Sequence, residues 1–162
     1  MKITFIQTGG TIDKDYPRLD SYAFEITEPA VKRILSQLNI NFTSEFITAF
    51  KKDSLDITQA DRKKLFNIIK KIKNNKIIIT HGTDTLVATA KYLQNIKDKT
   101  IVLTGSLQPE RFIHSDAVFN VGTAVGAINV LKPGVYVAMS GKIFNADNCK
   151  KDLKTGKFVE IE

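Results

Sequence analysis

The chain has 162 residues, enough for one domain that buries roughly two thirds of the surface its unfolded form exposes. Its single cysteine, Cys149, excludes an internal disulfide and a four-cysteine zinc site, and no apolar run reaches membrane-spanning length. The net charge of +7 rests on 20 Lys and only 4 Arg, with lysines such as Lys63, Lys64, Lys70 and Lys71 placed as a solvated helix face and not as the Arg forks and interleaved aromatics of a nucleic-acid surface.

Residues Lys2 to Gln7 form a β-branched and aromatic run that ends at Thr8-Gly9-Gly10-Thr11, a strand closing in a tight turn that presents hydroxyls. No signal-peptide pattern precedes it, so the expectation is a cytoplasmic chain, complete at its start, with no membrane or nucleic-acid partner. Lys14 to Glu25 is polar, holds Tyr16 and Tyr22, and reads as a loop. Thr27 is expected to cap a helix with Pro29 in its first turn and Ala30, Val31, Ile34, Leu35 and Leu38 at helical spacing. Asn41 to Phe50 is expected to be a second strand, followed by a polar turn over Lys51-Lys52-Asp53-Ser54.

Thr58 and Asp61 have capping-box spacing ahead of a helix whose buried stripe is Leu65, Ile68, Ile69 and Ile72. Lys76-Ile-Ile-Ile-Thr80 has the continuous apolar character of a central parallel strand and runs into His81-Gly82-Thr83-Asp84-Thr85. A helix over Leu86 to Gln94, a strand over Thr100 to Leu103, the turn Thr104-Gly105-Ser106, a small-residue helix over Ser115 to Leu131 and a last strand over Val135 to Met139 follow. From Gly141 the chain reads as a lysine-rich tail.

Strand and helix alternate without a linker or repeat. The expected fold is therefore a single doubly wound (Rossmann/flavodoxin-like) α/β domain with a mostly parallel sheet flanked by helices. Right-handed crossovers bring the turns at Thr8 to Thr11, Asp53-Ser54, Thr83-Asp84 and Gly105-Ser106 to one edge of that sheet, where such folds bind ligands. That edge lacks a Walker A loop and a G-x-G-x-x-G turn, and His81 and His114 are not at metal-ligand spacing. It does hold hydroxyls beside a carboxylate. A threonine is a nucleophile only when a neighbour takes its proton, and Thr83 with Asp84 offers a second hydroxyl and an acid.

Thr8-Gly9-Gly10-Thr11-Ile12 and His81-Gly82-Thr83-Asp84-Thr85, each directly after a strand, resemble the two signature motifs of the bacterial-type L-asparaginases. Val102-Leu103-Thr104-Gly105-Ser106, Asp116-Ala117, Phe119-Asn120 and the stretch from Met139 to Lys151 are similar as well. The resemblance covers 1–162 as the N-terminal-type α/β domain, without the C-terminal domain of longer members. It implies an asparagine amidohydrolase that works through a threonine acyl-enzyme, needs no cofactor or metal, and forms a homodimer or higher homo-oligomer.

Transferred by position, Thr11 would be the nucleophile. Thr83, Asp84 and a lysine, Lys151 or its neighbour Lys150, would form the activating group. Tyr22, with Tyr16 as the alternative, would be the lid tyrosine. Ser54 would hold the substrate carboxylate and Asp84 its ammonium, with Gly10, Asp53 and Thr83 completing the substrate contacts. The competing readings are an amidase for a related amide such as L-glutamine, and an amino-acid-binding module without turnover.

Overall fold

Near-continuous apolar strands require cover on both faces, and the computed structural model, which describes residues 1–16 and 23–161, provides it. In chain order the elements are β1 (Lys2–Gly9), β2 (Lys14–Asp15), β3 (Glu25–Ile26), α1 (Ala30–Ser36), β4 (Thr43–Lys52), α2 (Gln59–Lys71), β5 (Lys76–Thr80), α3 (Leu86–Leu93), β6 (Thr100–Thr104), α4 (Ala117–Val130), β7 (Gly134–Met139), β8 (Lys142–Asn145), β9 (Lys150–Lys151) and β10 (Phe158–Val159). The main sheet has the order β4-β1-β5-β6-β7-β8. Its first five strands are parallel and β8 is antiparallel to β7.

Alternate residues of each strand serve opposite layers. Ile6, Ile77, Ile79, Ile101 and Leu103 pack with Leu65 and Ile69 of α2 and with Leu86 and Leu93 of α3. Ile3, Phe5, Ile78 and Val102 pack with Val31 and Ile34 of α1 and with Val121 and Ile128 of α4. This is the expected doubly wound α/β arrangement, with the flavodoxin-like strand order. The strand order reverses between β1 and β5, so the crevice at their carboxyl ends is the switch point where ligands bind in such sheets.

Five local expectations are corrected. The chain beyond Gly141 is no loose tail: Ser140 and Gly141, both at positive φ, turn it back as β8, and β9 pairs antiparallel with β10. β4 runs on to Lys52, because Gly9 pairs with Lys52 across a register shift in β1. α1 is not capped by Thr27. Its first amide, that of Ala30, donates to the Asp13 carboxylate at 2.8 Å, while Thr27 donates to the Asp13 carbonyl through its amide and its hydroxyl. α1 also stops at Ser36, leaving Leu38 half exposed beyond it. The segment holding Tyr16 and Tyr22 springs from a paired base, β2 with β3.

Candidate active site

Three turns meet at the switch point because their glycines carry no side chains. A Cβ on Gly10 would lie 2.4 Å from the Cα and amide nitrogen of Gly82, one on Gly82 would lie 2.6 Å from the Ser54 Cβ, and one on Gly105 would lie 2.3 Å from the His81 carbonyl oxygen. Thr11, Ser54 and Thr83 each adjoin or belong to this contact. Thr11 opens the 3-10 turn Thr11–Asp13 and is half-buried, whereas Thr8 is buried and donates to the Thr80 carbonyl at 2.8 Å, tying β1 to β5.

Lys151 reaches this edge from β9, 67 residues beyond Asp84 in sequence. Its ammonium donates to the Thr83 hydroxyl at 2.9 Å and to Asp84 Oδ1 at 2.6 Å, with only 14% of its side chain exposed. Lys150 is exposed and lies beside Asp152 and Glu160. Of the two lysines the sequence offers, only Lys151 meets the Thr83 hydroxyl. Thr85 donates to the Ser54 carbonyl at 2.7 Å, which ties the turn after β5 to that after β4.

Ser54 is buried, and among the described residues its hydroxyl oxygen has no hydrogen-bond partner, a group that an incoming polar ligand would satisfy. Asp53 caps the turn Ser54–Asp56 by accepting from the Ser54 amide at 2.8 Å, and its other oxygen accepts from Lys14 at 2.6 Å. The Lys14 hydrogen bond holds the Asp53 carboxyl below the usual carboxylate range. Of the two candidate lid tyrosines, Tyr16 packs against Phe24 with ring centres 4.1 Å apart and planes tilted by 35°, and Tyr22 lies outside the described residues.

Two side-chain networks whose bonds the sequence does not display hold these turns. Asp116 accepts from the amides of Leu107 and Gln108 and from Asn120, which donates in turn to the Gly105 carbonyl and accepts from the Ser140 amide. Arg62 donates to the Thr89 hydroxyl at 3.1 Å; that hydroxyl lies 2.8 Å from His81 Nε2, and His81 Nδ1 lies 2.8 Å from the Gly82 carbonyl. The carbonyl requires Nδ1 to carry the proton, and because burial disfavours a second one the ring is neutral and Nε2 accepts from Thr89. Asp116 and Asn120 lie in the motifs that carry the family resemblance, but neither their bonds nor those of Arg62, Thr89 and His81 follow from any local pattern.

Burial pushes the His81 imidazole down to about 4 and the Asp13 carboxyl up to about 6. Between pH 6.5 and 4 the unfolded chain takes up a proton that folded His81 refuses, so this contribution is present above pH 6.5 and lost on acidification. Between pH 3.8 and 6 folded Asp13 keeps a proton that the unfolded chain releases, so its contribution falls as pH rises. Each amounts to about 3 kcal/mol, and the two oppose one another over nearly the same range. Asp13→Asn keeps the acceptor for Ala30 and removes one of them. Relative to the native chain, the variant should gain about 3 kcal/mol in urea unfolding at pH 7 and none at pH 4; a pH-independent difference would refute the assignment.

The geometry defines a doubly wound α/β domain with a threonine-rich crevice at its switch point and a lysine bonded to one of the hydroxyls. The "Asparaginase, N-terminal" family profile matches residues 2–158, and the chain belongs to that family. It is 30% identical over 172 residues to the glutaminase-asparaginase of Acinetobacter glutaminasificans, a match spanning 97% of this chain and 52% of that protein. L-asparaginase 2 of Bacillus subtilis is also 30% identical, over 162 residues, spanning 89% of this chain and 42% of its own. The thermostable L-asparaginase from Thermococcus kodakarensis superposes with a TM-score of 0.87 at 27% identity, over 99% of this chain and 51% of that one. The chain thus spans about half the length of the relatives it matches. Among the described residues, no helix is long and apolar enough to cross a membrane.

Proposed function

We propose that this domain hydrolyses the side-chain amide of L-asparagine to L-aspartate and ammonia through an acyl-enzyme on Thr11. The observation that carries the reading is the contact of Lys151 with the Thr83 hydroxyl and Asp84, beside the turn that presents Thr11. The Ser54 hydroxyl takes the substrate α-carboxylate and the outer oxygen of Asp84 takes the α-ammonium, which fixes both ends of the amino acid before its distal amide meets Thr11. The Thr11 oxygen bonds to the amide carbon as its proton passes to the departing nitrogen, which leaves as ammonia. Water then attacks the ester, releases aspartate and returns a proton to Thr11. Backbone amides of the glycine turns bear the oxyanion in both steps, and Thr83, Lys151 and Asp84 relay the protons.

Asp53, whose oxygens serve Lys14 and the Ser54 amide, shapes the carboxylate subsite and does not itself bind the substrate anion. Coupled ammonia release, measured on L-asparagine and L-glutamine in parallel, tests the activity. Turnover of asparagine is expected to exceed that of glutamine, and added hydroxylamine should divert the acyl-enzyme to the β-hydroxamate of aspartate. No ammonia from either amide, combined with thermal stabilisation by aspartate, would overturn this reading in favour of a binding module.

A further inference from the structure

Arg62 of α2 is only 8% exposed, and among the described residues no carboxylate lies within ion-pairing distance of it. A buried guanidinium without a counterion weakens a fold, so what its donors hold is informative. Nε donates to the Thr89 hydroxyl of α3 at 3.1 Å, and Nη1 donates to the Ile57 carbonyl at 3.3 Å. A guanidinium cannot accept, so the Thr89 hydroxyl keeps its own proton for His81 Nε2, 2.8 Å away. In a neutral ring the proton is then on Nδ1, which donates to the Gly82 carbonyl at 2.8 Å. Burial, reinforced by the Arg62 charge, keeps that ring neutral. The donors thus run one way, from α2 through α3 to the turn after β5.

Resting on the reading of Thr83 as part of the reacting group, we propose that Arg62, Thr89 and His81 are positioning residues. They select the Nδ1–H form of His81 and so lock the peptide that joins Gly82 to Thr83, turning the Thr83 amide toward the developing oxyanion. In a trans peptide the N–H points away from the C=O. With the Gly82 carbonyl held by the buried His81 ring, the Thr83 amide is directed away from that ring, and among the described residues it has no acceptor. The hydroxyl of the same residue meets Lys151. One turn then supplies both an oxyanion donor and a proton-relay hydroxyl.

Gly82 explains why the turn needs an external hold. A side chain there would meet the Ser54 Cβ at 2.6 Å, so the close approach of the two turns demands glycine. The same lack of a side chain leaves its torsions the least restricted of any residue. A hydrogen bond to its carbonyl restores the order that glycine gives up. Stability alone would be served as well by apolar side chains of similar volume at Arg62 and Thr89, which would bury no charge.

Ring-nitrogen NMR of the full chain, with His114→Gln to assign the signals, should show His81 in the Nδ1–H form between about pH 6 and 8. Arg62→Met and Thr89→Val should each release the Nε2–H form and shift the Thr83 amide. In asparagine turnover both should lower kcat about 10–10²-fold with KM unchanged, the pattern of a contact made in the transition state. Arg62→Lys, still a donor that cannot accept, should recover most of the rate. Arg62→Gln, whose carbonyl can accept from Thr89 and reverse the chain, should not. That pair, of similar bulk, separates lost rate from lost folding. A native His81 in the Nε2–H form, or native kcat in both Arg62→Met and Thr89→Val, would overturn the proposal. An inactive native chain would instead refute the asparagine reading, and the ring and amide signals would still decide the relay.

Discussion

Thr11→Ala is expected to abolish ammonia release from asparagine, by about 10³-fold or more, without lowering the unfolding temperature. Thr11 opens a short turn and is half-buried, so loss of its oxygen and methyl leaves the glycine contacts beneath it in place. Lys151→Met is expected to cost about 10²–10⁴-fold, the range of a lost proton-transfer group, whereas Lys150→Met leaves the rate unchanged because its exposed side chain is not bonded to Thr83. Thr83→Ala should fall in the same range as Lys151→Met. If the two act as one relay, the double variant is little slower than either single one. Additive losses would mean that Thr83 binds substrate independently of Lys151. A Thr11→Ala protein that retains turnover would remove the nucleophile from the proposal, and intact folding would close the trivial explanation.

Much of this arrangement was legible because it is local. The apolar run at Ile77 to Ile79 demanded a central strand, and the glycines after β1 and β5 demanded turns at its carboxyl edge. Thr58 and Asp61 make their capping box, with the Thr58 hydroxyl accepting from the Asp61 amide while the Asp61 carboxylate accepts from the Thr58 amide. What escaped is non-local or short. The cap of α1 comes from Asp13, 17 residues upstream, and no periodicity reports a cap from outside the helix. β8 has four residues, of which only Phe144 is buried, too few for an alternation to register. Lys151 sits on a two-residue strand whose direction is fixed by pairing with Phe158. The motif resemblance pointed to that lysine, whereas composition alone left it in a tail. The resemblance likewise pointed to Ser54, but that its hydroxyl lacks a partner among the described residues was not legible, because Asp-Ser is ordinary turn chemistry until Gly82 packs against it.

Gly10→Ala is expected to be the most damaging single methyl in the crevice. Gly10 has φ 89° and ψ −176°, a region that side-chain-bearing residues essentially do not occupy, at a cost of about 1–3 kcal/mol. The added carbon would also press on the Gly82 backbone at 2.4 Å, where no flexible side chain can give way, for a further 1–3 kcal/mol or so. Together these reach about 4 kcal/mol, or a fall of about 10 °C in unfolding temperature for a domain of this size.

Two other glycines separate the contributions. Gly156→Ala meets only the backbone cost, since φ is 70° and nothing lies within 4 Å, whereas Gly105→Ala meets only the contact, 2.3 Å from the His81 oxygen with no positive φ. Both should be milder than Gly10→Ala. The turns that Gly10 and Gly82 hold together carry Thr11 and Thr83, so relief of the overlap must move one hydroxyl away from the other. Below its own unfolding temperature, Gly10→Ala should therefore still lose about 10²-fold in turnover, the effect of roughly 1 Å of misplacement, while Gly156→Ala keeps the native rate. Native turnover in a folded Gly10→Ala protein would mean that the close approach of the two turns serves stability alone.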